Sequence, residues 1–201
     1  MSGNFDQNWP VRRLTDIVQL PVGQVDPRKS PYRDQILLAP DHIESGTGKI
    51  LKKESAEKQG ASSGKYTVRP GDVVLSKIRP ALRKVALADF TGICSADMYP
   101  LRPHEGVRPE FIFAVLLSEH FSQYAENASG RTGIPKINRS DLSGYSLRVP
   151  PAEEQDQIVS VLQSVTAREK SMEAELTKLR AVKQGLADDL LSGRVRFSNI
   201  A

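Results

Sequence analysis

Four cations, Lys77, Arg79, Arg83 and Lys84, fall within the stretch SKIRPALRK, and no acidic residue lies between Asp72 and Asp89. Cations crowded in this way neutralise phosphates and release counterions from a nucleic acid. A plain solvated basic surface is the other reading of the same run. Acid–base and metal chemistry has less to work with. The chain holds one cysteine, Cys94, and three histidines, His42, His104 and His120, none at ligand spacing. Neither a disulfide framework nor a zinc site is expected, and Cys94 reads as a small buried residue. Gly46-Thr47-Gly48-Lys49 lacks the spacing and the following Ser or Thr of a phosphate-binding loop, so it reads as a turn. Asp41, Glu54, Glu57 and Lys58 lack the acidic-x-Lys pair of a nuclease. Asp41 with His42 reads as a turn cap, and His104 and His120 as surface or structural residues. No Asn-Pro-Pro-aromatic motif of an adenine methyltransferase is present.

If the partner is a DNA duplex, different residues take different tasks. Lysines and arginines at loop tips position the duplex through its phosphates, while Arg, Asn, Gln or Thr reads base edges. Lys77, Arg83, Lys84 and Lys136 are the phosphate candidates. Arg79, Arg131, Thr132 and Asn138 are the base candidates, with Arg28, Lys29, Arg33 and Gln35 of an early loop behind them. Ser95 and Ala96 are expected only to pack.

Something must hold these side chains together, and 201 residues suffice for one globular domain with an appendage. Hydrophobic residues at 39% and charged residues at 26% allow a core and exclude a disordered chain. Eleven of the twelve aromatic residues precede Pro150-Pro151, which places the core in residues 1–150. That part carries 21 Lys+Arg against 16 Asp+Glu, and residues 151–201 carry 7 against 8, so the net charge of +4 splits as +5 and −1. A polyanion would therefore bind residues 1–150. Short apolar stretches at 36–38, 72–78, 84–90 and 145–149, bounded by Gly, Pro, Asn and Asp, predict strands. The second and third predict two strands joined by a loop, with Lys77, Arg79, Arg83 and Lys84 near one tip. One helix is predicted over 108–127, and a mixed α/β (α+β) globule follows. No apolar run approaches 18 residues and no leader pattern opens the chain, so the expected setting is cytoplasmic, away from membranes.

From Ala152 to Leu191 there is no proline and one glycine, Gly185. Pro151 suits a first helical position, and Glu153 and Glu154 suit the positive end of the helix dipole. Ile158, Leu162, Val165, Met172, Leu176, Leu179, Leu186 and Leu190 follow a 4,3 alternation, broken only by Glu169 and Lys183. This predicts a coiled-coil helix over 151–192, with Gly193 as its stop and 193–201 as a tail. Such a helix is about 60 Å long, against roughly 40 Å for a 150-residue domain, so its seam overhangs. No second helix of this kind exists in the chain. A second copy is the simplest partner, and a helix lying on its own globule is the alternative.

The stretches 71–103, 131–162 and 179–197 resemble the DNA specificity subunit of type I restriction and modification systems. The most telling order is Asn138, Asp141, Leu142, then Val149-Pro150-Pro151, Glu154-Gln155 and Ile158, followed by a heptad helix ending in LLSGR. The family's usual member has two target recognition domains and two long helices paired antiparallel. This chain, with one of each and no internal repeat, resembles half of one. The resemblance implies a non-catalytic DNA-recognition subunit with a target recognition domain over 1–150 and a dimerisation and spacer helix over 151–192. It implies an S-adenosylmethionine-dependent methyltransferase subunit as partner. A restriction translocase using ATP and magnesium is the further partner it allows. An antiparallel homodimer would then read a bipartite inverted repeat. A coiled-coil adapter, or a truncated remnant without specific DNA binding, stays open beside it.

Overall fold

A computed structural model describes residues 9–130 and 133–196. The chain divides into two compact units, one ending at Gln157 and one beginning at Ile158. Among the described residues of the first unit, three small sheets carry nine strands. β1 (Val11–Arg13) pairs antiparallel with β9 (Ser146–Arg148), tying the two ends of the unit together. β2 (Val18–Gln19), β8 (Met98–Pro103), β5 (Val73–Ser76) and β6 (Val85–Leu87) form a four-stranded antiparallel sheet in that order. β3 (Ile36–Leu38), β7 (Gly92–Cys94) and β4 (Tyr66–Val68) form the third, with β3 parallel and β4 antiparallel to β7.

Side-chain alternation on the third sheet feeds two separate buried clusters. Leu38 of β3 and Cys94 of β7 pack with Ile43, Val68, Val74, Ala86 and Met98 on one side, while Leu37 and Ile93 pack with Ala56 on the other. Successive residues of a strand point to opposite faces, so three-residue strands reach both clusters. Gly92 permits the close pairing: a Cβ there would stand 2.5 Å from the Ile36 carbonyl and 2.9 Å from the Phe90 ring. Cys94 is fully buried, and burial pushes its thiol far above the ordinary value. Cys94 is therefore expected to resist a thiol reagent such as iodoacetamide in the folded protein and to react after denaturation, as mass spectrometry of the labelled chain would show.

The strands predicted at 36–38, 72–78, 84–90 and 145–149 correspond to β3, β5, β6 and β9. The helix predicted over 108–127 is two helices, α2 (Pro109–Leu117) and α3 (Glu119–Ser129). Ser118 makes the break: its backbone is extended, its hydroxyl donates to the Val115 carbonyl at 2.7 Å, and its Oγ accepts from Phe121 N at 3.3 Å. A serine that serves both helix ends terminates one and starts the next. Two shorter helices, α1 (Leu14–Ile17) and α4 (Arg139–Gly144), stand among the described residues of this unit before α5 (Ala152–Leu191) begins.

The start of α5 is clamped within the first unit. Gln155 is 1% exposed; its Oε1 accepts from Arg108 N at 2.8 Å, and its Nε2 donates to the carbonyls of Pro150 at 2.8 Å and Gly106 at 3.2 Å. Asp156 takes a two-pronged ion pair from Arg108 at 2.7 and 2.8 Å, and Glu154 accepts from Trp9 Nε1 at 2.9 Å. Pro151 stands one residue earlier than expected. Its carbonyl accepts from Gln155 N, so it occupies the capping position rather than the first helical one.

The second unit presents the predicted seam uncovered. Leu162, Val165, Met172, Leu176, Leu179 and Leu186 are all exposed, whereas Ile158 and Leu190 are half-buried. Gly193 takes a φ of +72° just past the helix end, as a residue that stops a helix in the left-handed region does.

Candidate nucleic-acid interface

Val73, Val74 and Leu75 of β5 pair with Leu87, Ala86 and Val85 of β6. The connection between them carries the basic cluster. It contains a single 3-10 turn, Pro80–Leu82, flanked by Arg79 at φ +50° and Arg83 at φ +45°. Two left-handed arginines bounding one short turn are uncommon, because a side chain crowds the backbone there. The turn survives because both sides are held: the Arg83 carbonyl accepts from Gly46 N at 3.3 Å, and the Arg79 side is fastened to a distant segment. Arg79 N donates to the Pro135 carbonyl at 2.9 Å, Ile137 N donates to the Lys77 carbonyl at 2.9 Å, and Ile78 bridges Lys136. The segment 133–137 is thereby fastened alongside the basic loop. Long-range pairing thus brings Lys136 to Arg79, which the sequence separates by more than fifty positions.

The cations of this cluster differ in their freedom. Arg79 and Lys136 are exposed, with Lys136 3.6 Å from Asp97 across the surface. Arg83 is half-buried. Lys84 is half-buried too and donates to the Pro40 carbonyl at 2.8 Å, which ties the loop to a 3-10 turn at Pro40–His42. Lys77 is placed quite differently from the expected phosphate contact. It is 6% exposed, its Nζ donates to the Ala96 carbonyl at 2.5 Å, and it lies 3.9 Å from the Tyr99 ring centre and 4.9 Å from that of Tyr66. Its side chain enters the interior between two aromatic faces, where it supports the loop from inside. Burial holds its ammonium below the ordinary lysine value. Burial alone would raise Tyr66, but the Lys77 charge, hydrogen bonds from Gln24 and Arg139, and the Arg139 charge together bring its phenol down.

Asn138 also departs from expectation. Its Oδ1 accepts from Asp141 N at 3.0 Å and from the Ser140 hydroxyl at 2.6 Å, and Asp141 Oδ2 accepts from Asn138 N at 2.8 Å. The Asn-x-x-Asp spacing is a reciprocal cap on α4. An asparagine reads adenine with its amide oxygen and nitrogen together, and here the oxygen is engaged. Arg131 and Thr132 lie outside the described residues. In the early loop, Arg28 pairs with Asp26 at 2.9 Å, and Arg33 lies between Asp34 and Glu57.

One cation beside this site was missed. Arg139, the first residue of α4, stands 5.5 Å over the Tyr99 ring and donates to the Pro21 carbonyl. Tyr99 therefore carries Lys77 and Arg139 together, an arrangement without local sequence pattern because the end of β5, β8 and α4 each supply one part. Among the described residues no cluster of three or more His, Cys, Asp or Glu stands ready for a metal. His42 accepts from Ala39 N at 3.3 Å within the 3-10 turn, as a turn cap should, and His120 Nδ1 lies 2.9 Å from the Tyr145 hydroxyl. The exposed chemistry at this edge is cationic and hydrogen-bonding.

Residues 6–181 match the model of the type I restriction modification DNA specificity domain. The chain belongs to that family. It is 36% identical over 195 residues to the type I restriction enzyme EcoDI specificity subunit of Escherichia coli, covering 96% of this chain and 43% of that protein. The crystal structure of the HsdS subunit from Thermoanaerobacter tengcongensis superposes with a TM-score of 0.73 at 29% identity, over 89% of this chain and 46% of the other. A chain from a structure describing complex assembly and conformational transition of the type I R-M system gives 0.72 at 28% identity, over 94% and 48%. The chain spans about half the length of the relatives it matches. The expected mixed α/β architecture with a long C-terminal helix is the one these specificity subunits share.

Proposed function

We propose that this chain is the non-catalytic, DNA-reading component of a type I restriction–modification methyltransferase, working as a homodimer that reads a bipartite inverted repeat. One observation supports the DNA-reading part above the rest: in a specificity-domain fold, two distant segments are fastened into one edge that leaves Arg79 and Lys136 at the surface. The uncovered leucine seam of α5 supports the homodimer. Two-fold symmetry then makes the target an inverted repeat with an unread spacer. The partner is a modification subunit carrying S-adenosylmethionine, which methylates adenines turned out of the duplex. A translocase using ATP and magnesium joins where restriction accompanies modification. No described helix is long and apolar enough to cross a membrane, and this work belongs where the DNA is, in the cytoplasm.

Within this reading the exposed cations divide. Lys136→Ala is expected to weaken binding to all duplexes alike and to lower the slope of log affinity against log salt by about one. Arg79→Ala is expected to lose about 1–3 kcal/mol on the cognate sequence and much less on random DNA. Equal losses on both would make Arg79 a phosphate contact. A modified-base map of the source genome with and without the gene tests the whole. Loss of N6-methyladenine from a bipartite inverted repeat is expected; an unchanged map, with salt-independent binding, would replace this reading by a coiled-coil adapter.

A further inference from the structure

Resting on the homodimer reading, we propose one register for the pair: α5 packs antiparallel on α5 of a second copy, with Leu176 level with the partner's Leu179. The reason is charge on and beside the seam. Leu162, Glu169, Leu176, Lys183 and Leu190 occupy one heptad position, and Ile158, Val165, Met172, Leu179 and Leu186 the other. In an antiparallel pair each residue of the first set meets one of the second, and the flanking positions of one helix meet the same flanking positions of its partner.

A parallel pair in register would gain rim contacts, Arg168 with the partner's Glu173 and Glu175 with the partner's Arg180. It would also stack Glu169 on the partner's Glu169 and Lys183 on the partner's Lys183 inside the seam. Like charges withdrawn from water repel far more strongly than exposed rim pairs attract, so the seam decides against it.

Among antiparallel registers the rim decides. Setting Leu176 level with the partner's Met172 presses Glu173 against the partner's Glu173 and Glu175 against the partner's Glu175. Setting it level with the partner's Val165 forms only Arg168 with the partner's Glu175, and leaves Glu169 about 16 Å along the axis from the partner's Lys183.

Level with the partner's Leu179, every close charged neighbour is opposite in sign. Glu173 meets the partner's Arg180, and Arg168 meets the partner's Asp189. Glu169 comes within about 4.5 Å of rise of the partner's Lys183. Symmetry makes each contact twice. The pair at Asp189 is the weakest, because Arg194 of the same chain already donates to that carboxylate at 2.6 Å. Glu169 and Lys183, which interrupt the leucines, thus select both direction and register, as polar seam residues do elsewhere.

Two measurements on the full chain test this. A spin label on Ala167→Cys, with Cys94 buried and unlabelled, reports the stagger between copies, since residue 167 faces outward from the seam. This register sets the two labels about 32 Å apart along the axis. Values near 21 or 10 Å would overturn it in favour of a neighbouring antiparallel register, and no axial offset would mean a parallel pair. Each of those leaves the homodimer reading standing, whereas a monomer by sedimentation, with no spin pair, fails both. The second measurement is a charge exchange. Glu173→Arg is expected to weaken dimerisation about tenfold, and adding Arg180→Glu to restore it to within about threefold. Restoration fails in the parallel pair and in the register that opposes Glu173 with itself, so a failure there overturns the proposal.

Discussion

Exchanging both Leu176 and Leu179 for glutamate is expected to leave a folded monomer that binds a bipartite target at least a hundredfold more weakly than the parent. In the proposed pair these two positions and their symmetry mates form the centre of the seam. Burying a leucine contributes about 1.5–3 kcal/mol, so four of them supply roughly 6–12 kcal/mol of association. Even half that loss raises the dissociation constant by more than two decades, and charged replacements add to it. Both leucines are exposed at 46% and 58%, so the single chain loses little when they change. Sedimentation should show the monomer while thermal unfolding of the globular unit stays within a degree or two. DNA binding falls because two linked half-sites become two independent ones. A variant that stays dimeric would remove the seam from the assembly, and one that binds the bipartite target undiminished would remove the dimer from recognition.

Gln155→Met is expected to cost about 3 kcal/mol of folding stability, near 10 °C in unfolding temperature for a domain of this size. Methionine matches glutamine in length, so the loss isolates the hydrogen bonds. The backbone N–H of Arg108 and the carbonyl of Pro150 lose their partner in a place where Gln155 itself is almost fully buried. The Gly106 carbonyl, at an exposed residue, can turn to water. Urea denaturation at unchanged slope would measure the loss directly. Gln155→Glu makes the complementary comparison, since it keeps the acceptor for Arg108 N while discarding both donated bonds. A Met variant as stable as the parent would mean that the helix entry is held by Arg108–Asp156 and Trp9–Glu154 alone, which is unexpected for exposed or half-exposed pairs.

The resemblance carried in the sequence pointed to the family, and the fold class and long helix were legible for physical reasons. The 4,3 spacing from Ile158 to Leu190 is a local periodicity, and a 40-residue helix follows from it with no tertiary information. Strands β3, β5, β6 and β9 were visible as short apolar runs between turn residues, as was the hairpin carrying the basic loop. Ser118 was harder, because a lone serine inside an apolar helical run is read as tolerated until its hydroxyl is seen serving both helix ends.

The candidate site divides along the same line. Composition placed the excess positive charge in residues 1–150 and its densest run at 77–84, since charge is a property of residues alone. Which of those cations reach solvent was decided by the tertiary structure. Lys77 is drawn inward between Tyr66 and Tyr99, contributed by β4 and β8, while Lys136 is brought out beside Arg79 by backbone pairing across more than fifty residues. Asn138 is bound into the cap of α4, and Arg139, its neighbour, is turned over the same Tyr99 that covers Lys77. A cation's solvent exposure depends on which long-range pairings close around it, and these are free energies of packing and hydrogen bonding between distant segments that no local window of sequence contains.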